Sequence, residues 1–261
     1  LKCMFHMMNE ARIGVGLGAV GIGFAGYEAS LDYARNRKQG RPSTPAGKDP
    51  ATPPVNIIEH ADVKRMLLAQ KSYVEGGLAL ELYCGRLVDE ARTGSAESLP
   101  GIKALLEILT PIAKSWPSEW CLEANNLAIQ VHGGYGYTRD FPVEQYWRDN
   151  RLNMIHEGTH GIQGLDLLGR KVLMDDGRAL DLLARRIELT VQQARGYAEL
   201  QTESAAVAHG LQALLEATRA AWSTRQPDEA LANATPYLQA FGHVVVAWLW
   251  LDVARVAVAA A

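Results

Sequence analysis

Residues 62–92, DVKRMLLAQKSYVEGGLALELYCGRLVDEAR, decide the fold. Val63, Met66, Leu67, Val74, Leu78 and Leu82 share one side at helical spacing, not the alternation of a strand. Asp62 is the expected N-cap, and the helix should end near Arg92, before Thr93-Gly94-Ser95. Thirty residues of helix span roughly 45 Å, so this element needs partners of similar length. Upstream, Lys2 to about Lys38 reads as one long helix, small residues dominating its first half and Tyr27, Leu31 and Ala34 continuing the stripe. Downstream, helical text runs from about Leu99 to Val131, with a bend or break expected at Trp116-Pro117. The intervening Gly40–Pro54 stretch holds Pro42, Pro45, Pro50, Pro53 and Pro54 and is expected to be a loop.

Past a glycine-tyrosine loop at 132–140, Pro142 should open a short helix through Arg151. Gly158 to Met174 reads as the last helix of a first unit. After Asp175-Asp176-Gly177 the composition shifts to Ala, Leu, Arg and Gln. Leu180 to about Trp222 reads as one or two helices, with Gly210 the weak point, and Thr235-Pro236 should open a final helix carrying Val244, Trp248, Leu251 and Val258. The expected fold is all-α: an antiparallel long-helix bundle over 1–176 and an additional helical domain over 177–261.

Composition narrows the function classes. A chain of 261 residues with 48% hydrophobic and 21% charged residues can bury one large core or two modest ones. The net charge of −3 gives no electrostatic reason to expect nucleic acid or an anionic membrane. Cys3, Cys84 and Cys121 lie far apart without a C-x-x-C pair, which favours buried thiols in a reducing, cytoplasmic setting over disulfides or a zinc cluster. No secretory signal is legible, and the apolar run Ile13–Tyr27 is too short for a bilayer. A start without Met inside a helix reads as a piece of something longer.

Two motif matches invite chemistry and fail on context. Gly16-Leu17-Gly18-Ala19-Val20-Gly21 is a literal G-x-G-x-x-G, but a dinucleotide fingerprint needs a strand before it, and the preceding residues read as helix. Glycines that let helices approach closely are the better reading. His156-Glu157-Gly158-Thr159-His160 is a literal H-E-x-x-H, which in a zinc protease lies on one continuous helix. Gly158 inside it is a poor helix residue and no third ligand is well placed, so no metal site is expected.

A third pattern is longer. Gln130-Val131-His132-Gly133-Gly134-Tyr135-Gly136 is followed by Pro142-Val143-Glu144, Arg148-Asp149, Glu157-Gly158-Thr159 and Ile162-Gln163. With Asn9-Glu10-Ala11-Arg12 and Arg37-Lys38-Gln39-Gly40 near the start, this series resembles the C-terminal helical part of the acyl-CoA dehydrogenase family. The resemblance covers about residues 1–175. Gly161-Ile162-Gln163 and the extension after Gly169-Arg170-Lys171 look most like the larger branch of that family, similar to 3-methylmercaptopropionyl-CoA dehydrogenases.

The resemblance implies FAD as cofactor and α,β-dehydrogenation of an acyl-CoA thioester, with Glu157 as the base that takes the α-proton and a hydride passing from Cβ to flavin N5. The backbone N–H of Glu157 would help polarise the thioester carbonyl. It places Arg37, Gln39, Gln130, Gly133, Gly134 and Thr159 at the cofactor, and Asn9, Arg12 and His156 on the substrate side. His156 stands where most relatives carry tyrosine. Arg148 and Asp149 are expected to form an internal ion pair positioning the Glu157 loop. Electron-transfer flavoprotein or another acceptor and a homodimer or higher homo-oligomer follow as expected partners. The family's N-terminal helical and middle β domains are not among these residues, so the chain alone is expected to be inactive or nearly so. An acyl-CoA oxidase and a non-catalytic helical assembly module are the alternatives, with a zinc hydrolase a remote third.

Overall fold

The computed structural model describes residues 2–260, with side chains from Asn9 onward; Cys3 and residues 1–8 generally lie outside the described side chains. Nine α-helices are found among them: α1 (Lys2–Asn36), α2 (Ala61–Thr93), α3 (Leu99–His132), α4 (Val143–Arg151), α5 (His160–Asp166), α6 (Arg178–Ala194), α7 (Gln201–Ala221), α8 (Pro227–Leu231) and α9 (Ala234–Ala259). The described backbone forms no strand, only an isolated antiparallel bridge between Lys38 and Asn56. The all-α expectation therefore holds.

Packing divides the chain into two compact units, and α1, α2 and α3 each contribute to both. One unit comprises residues 18–75 and 117–153. In it, a Cβ on Gly23 of α1 would meet Val74 of α2 and Cys121 of α3. Further along α1, Ala34 joins a cluster with Met66, Leu67 and Val131. As α1 advances, its neighbours fall in number on α2 and rise on α3, so α2 runs antiparallel to the other two. Asn150 of α4 ties this bundle together: its amide donates to the Ala19 carbonyl at 3.1 Å and to Asn125 Oδ1 at 2.7 Å.

The second unit comprises residues 1–17, 76–116 and 154–261. Here α9 is the central element. Phe241, Val245 and Leu238 are fully buried on it, and Trp248 donates to Thr190 of α6 at 2.9 Å. Backbone approaches are close: a Cβ on Gly76 of α2 would meet Val246 and Trp250 within 2.8 Å, and one on Gly164 of α5 would meet the Ala234 carbonyl at 2.7 Å. By length and composition α9 could cross a membrane, but its apolar side chains are those that build this core.

Several local expectations are corrected. Asp62 lies inside the first turn of α2 and pairs with Arg65 at 2.8 Å rather than preceding the helix. Likewise Pro142 occupies the N-cap of α4, and Ala234 precedes Thr235-Pro236 in α9. The helix α3 continues through Pro117 without a break. The interruption between α6 and α7 falls at Arg195–Leu200, while Gly210 lies within α7. The expected helix 158–174 begins at His160, and α5 leads into a π-helical turn, Leu167–Lys171. Asp175, Asp176 and Gly177, where composition changes, all adopt left-handed backbone, which ends one helical segment sharply before α6. Cys84 and Cys121 are buried free thiols, and burial pushes the Cys84 thiol up, with Glu81 adding to the effect.

Candidate active site

The segment 154–159 leads into α5. Glu157 has φ +55°, in the left-handed region, and Gly158 follows at +98°. Glycine accepts such backbone freely, whereas a residue with a Cβ gives up roughly 1–2 kcal/mol there. Two fully buried side chains hold the loop. Gln163 Nε2 donates to the Glu157 carbonyl at 3.0 Å, and Lys114 Nζ donates to the Gly158 carbonyl at 2.6 Å. A side chain at 158 would collide with that Gln163 amide, at 2.8 Å from its Cβ. Thr159 is the N-cap of α5, its hydroxyl accepting from the Ile162 N–H at 3.5 Å. The Glu157 carboxylate is thereby presented with about a third of its side chain exposed, 4.0 Å from His156 Nε2.

Buried charge surrounds this loop. Lys114 is pushed down to about 8, first by burial and then by the Arg12 guanidinium, with Glu157 acting in the opposite sense. Arg12 is itself buried and donates to Asp166 Oδ2 at 3.0 Å, while Asp166 also receives Arg170. Lys171, pushed down to about 8 by burial and then by Arg12, pairs with Glu107. Asn9 donates to the same Glu107 at 3.1 Å. Arg12 and Asn9, expected toward substrate, are thus engaged in a compact network of cations and carboxylates.

The other unit brings together a second group. Arg37, Gln39, Gln130 and Gly133 line one cleft of about 340 Å³, together with His60 and His132. The Lys38–Asn56 bridge fixes its floor: Gln39 N–H donates to Val55, Ile57 N–H to Arg37, and the Gln39 carbonyl bonds His60 Nε2 at 2.8 Å. Arg37 donates to Gln39 Oε1 at 3.3 Å and lies 5.5 Å from the Tyr135 ring centroid, a cation–π distance. Its Nε is buried without a partner, as is His132 Nε2. His132 stacks on Tyr33 at 4.3 Å, and burial, opposed by its bond to the Ala128 carbonyl, lowers its pKa. Around Gly133 (φ +62°) and Gly134, a Cβ would meet nothing within 4 Å, leaving the backbone open to a ligand.

Two further readings are settled by backbone geometry. The H-E-x-x-H match does not lie on one helix, because Glu157 and Gly158 are left-handed and α5 starts only at His160. The G-x-G-x-x-G match lies inside α1, and of its glycines Gly16 makes a close approach while Gly18 and Gly21 face open space. Arg148 does not pair with Asp149 but with Glu144 at 3.4 Å, since residues one apart on a helix do not face each other. Lys114 escaped the sequence reading, although a lone lysine in the apolar run Ile108–Trp116 was the available signal.

Comparison with known proteins agrees with both the bundle and the extension. Residues 1–173 match the family model described as acyl-CoA dehydrogenase, C-terminal domain, and residues 183–261 that described as acetyl-CoA dehydrogenase C-terminal like. The chain is 37% identical to the 3-methylmercaptopropionyl-CoA dehydrogenase of Ruegeria pomeroyi over 95% of its length, and 34% identical to the broad-specificity linear acyl-CoA dehydrogenase FadE5 of Mycobacterium tuberculosis over 98%. It spans 42% and 44% of those two proteins. The fold matches that of an acyl-CoA dehydrogenase from Bacillus anthracis solved in complex with FAD, with a TM-score of 0.70 at 21% identity over 93% of this chain and 41% of that one. With two thirds of its residues under the first of those models and the rest of its helices under the second, the chain belongs to the acyl-CoA dehydrogenase family, as the C-terminal helical domain with its extension.

Proposed function

We propose that these residues serve an FAD-dependent α,β-dehydrogenation of an acyl-CoA thioester, with Glu157 as the base that removes the α-proton. The observation that carries the reading is the Glu157 loop. A carboxylate sits on strained, left-handed backbone whose two successive carbonyls are each held by a fully buried side chain. Strain of this kind is kept where a side chain must be aimed.

In this reading Glu157 accepts the proton from Cα, and its backbone N–H polarises the thioester carbonyl. Ile155 and Ile162, apolar and exposed beside the loop, are suited to keep water from the proton in transit. His156 is the more available substrate contact, because the Arg12 guanidinium is committed to Asp166 and the Asn9 amide to Glu107. The cleft of the other unit fits a diphosphate-bearing cofactor: Arg37 and His132 each offer an unpartnered buried nitrogen, Gln39 and Gln130 offer amides, and Gly133 and Gly134 offer open backbone. Thr159 is proposed to touch flavin or phosphate from the base loop. When bound, FAD supplies the acceptor for the hydride leaving Cβ. Residues 1–176 are proposed as the cofactor and substrate domain and 177–261 as a buttressing extension, in a cytoplasmic homo-oligomer that passes electrons to an electron-transfer flavoprotein.

The test is a visible absorption titration of the intact gene product carrying these residues. A flavin spectrum that bleaches with one member of an acyl-CoA panel, and a Glu157→Gln variant that keeps the flavin without bleaching, are the expected results. A protein that takes up no flavin on reconstitution with FAD overturns the reading.

A further inference from the structure

The stretch Ile112–Trp116 of α3 is buried throughout, and Lys114 lies in its middle with no exposed surface. Packing alone does not ask for an ammonium there. Burying one is costly, and an apolar side chain of similar volume is often as stable or more so. The buried group must therefore answer another demand. Its Nζ reaches 2.6 Å from the Gly158 carbonyl, the peptide unit next to Glu157. Glu157 is among the charges that act on Lys114.

We propose that Lys114 is a positioning residue for Glu157, locking the left-handed loop through the Gly158 carbonyl. The proposal rests on Glu157 being the base. Gln163 and Lys114 divide the work: the amide holds the carbonyl of residue 157, the ammonium that of residue 158, and together they hold both peptide planes around the strained residue.

The test uses the intact, FAD-loaded gene product in Lys114→Met, which removes donor and charge, and Lys114→Gln, which restores a neutral donor. Flavin reduction by acyl-CoA is followed by stopped flow across the neutral pH range, with substrate affinity, flavin content and thermal unfolding measured alongside. Lys114→Met is expected to reduce flavin about 10- to 100-fold more slowly, as misplacement of a reacting group does. Its substrate affinity should stay within about threefold, because the lost contact acts on the chemical step. Lys114→Gln should recover part of the rate, because it returns a donor to the Gly158 carbonyl.

A wild-type rate in Lys114→Met, no recovery in Lys114→Gln, or a loss confined to flavin content and thermal stability overturns the proposal and leaves Lys114 a packing residue; failure of both variants to fold counts the same way. Glu157→Gln separates the two levels. If it reduces flavin normally, the base assignment fails and this proposal falls with it. If it is inactive while Lys114→Met shows the wild-type rate, only this proposal falls.

Discussion

Gly16 of α1 stands so close to Glu81 of α2 that a Cβ at residue 16 would lie 2.2 Å from the carboxyl oxygen Oε1. The same point is 2.1 Å from the Ala113 carbonyl oxygen of α3. Pro117, four residues on, has no N–H to give that carbonyl. Glu81 is buried, neither carboxyl oxygen has a partner, and burial raises its pKa well above the ordinary range. The buried carboxyl and the carbonyl that Pro117 leaves without its helical donor thus both border Gly16.

Glu81 accordingly makes folding depend on pH. Its pKa is raised in the folded state, so its stabilisation is complete below the unfolded carboxyl value and declines as pH rises toward the folded one. In that window stability should fall by about 1.4 kcal/mol per pH unit relative to Glu81→Gln, which keeps a donor and does not titrate. Urea unfolding of the two proteins at several pH values measures the difference in slope. Parallel curves would show that Glu81 is not the buried acid described.

Gly242→Ala should destabilise the unit built around α9. The added methyl would stand 2.3 Å from Cδ1 of Trp116, a buried ring whose indole N–H donates to His243 at 3.3 Å. Overpacking of this kind costs about 1–3 kcal/mol. Denaturant unfolding followed by tryptophan fluorescence reads the change.

Arg37→Ala should weaken FAD binding about tenfold or more, the loss expected for a charge-assisted hydrogen bond to an anion. Stability should change little, since the guanidinium meets the Gln39 amide and the Tyr135 face in a partly exposed setting. Flavin fluorescence titration of variant and wild type separates the two quantities. Unchanged affinity would remove Arg37 from the cofactor site.

Gln163→Leu removes the amide that holds the Glu157 carbonyl. Flavin reduction should slow by about 10-fold or more through misalignment of the carboxylate, without a matching loss of acyl-CoA affinity. Stopped-flow reduction over a range of acyl-CoA concentrations separates the two quantities.

Long periodic helices and the linked glycine, glutamate and glutamine motifs were legible because each rests on local spacing, and the three long helices appear within a few residues of their expected ends. What was not legible depends on groups distant in sequence. Pro117 forecasts a break by local rules, yet α3 runs through it in a stretch buried from Leu109 to Ser118. Gly210 weakens a helix by about 1 kcal/mol, yet its Cβ position lies 3.4 Å from Val244 of α9, and α7 passes through it. The cleft residues Arg37, Gln39, Gln130 and Gly133 were named from motif spacing, whereas His60 and His132 join them through the fold. No local pattern announced the positive φ of Glu157, because the buried amide and ammonium that sustain it come from α5 and α3.

The contact between Gly164 and the Ala234 backbone also bears on how such sequences can diverge. Residue 164 begins the turn after Gln163, and a Cβ there would meet the carbonyl carbon of Ala234 at 2.8 Å and the Thr235 nitrogen at 3.0 Å. Main chain cannot be trimmed by substitution as a side chain can. While α9 keeps its place, any side chain at 164 has to push the Ala234–Thr235 backbone aside, so a change in α5 is felt first in the extension.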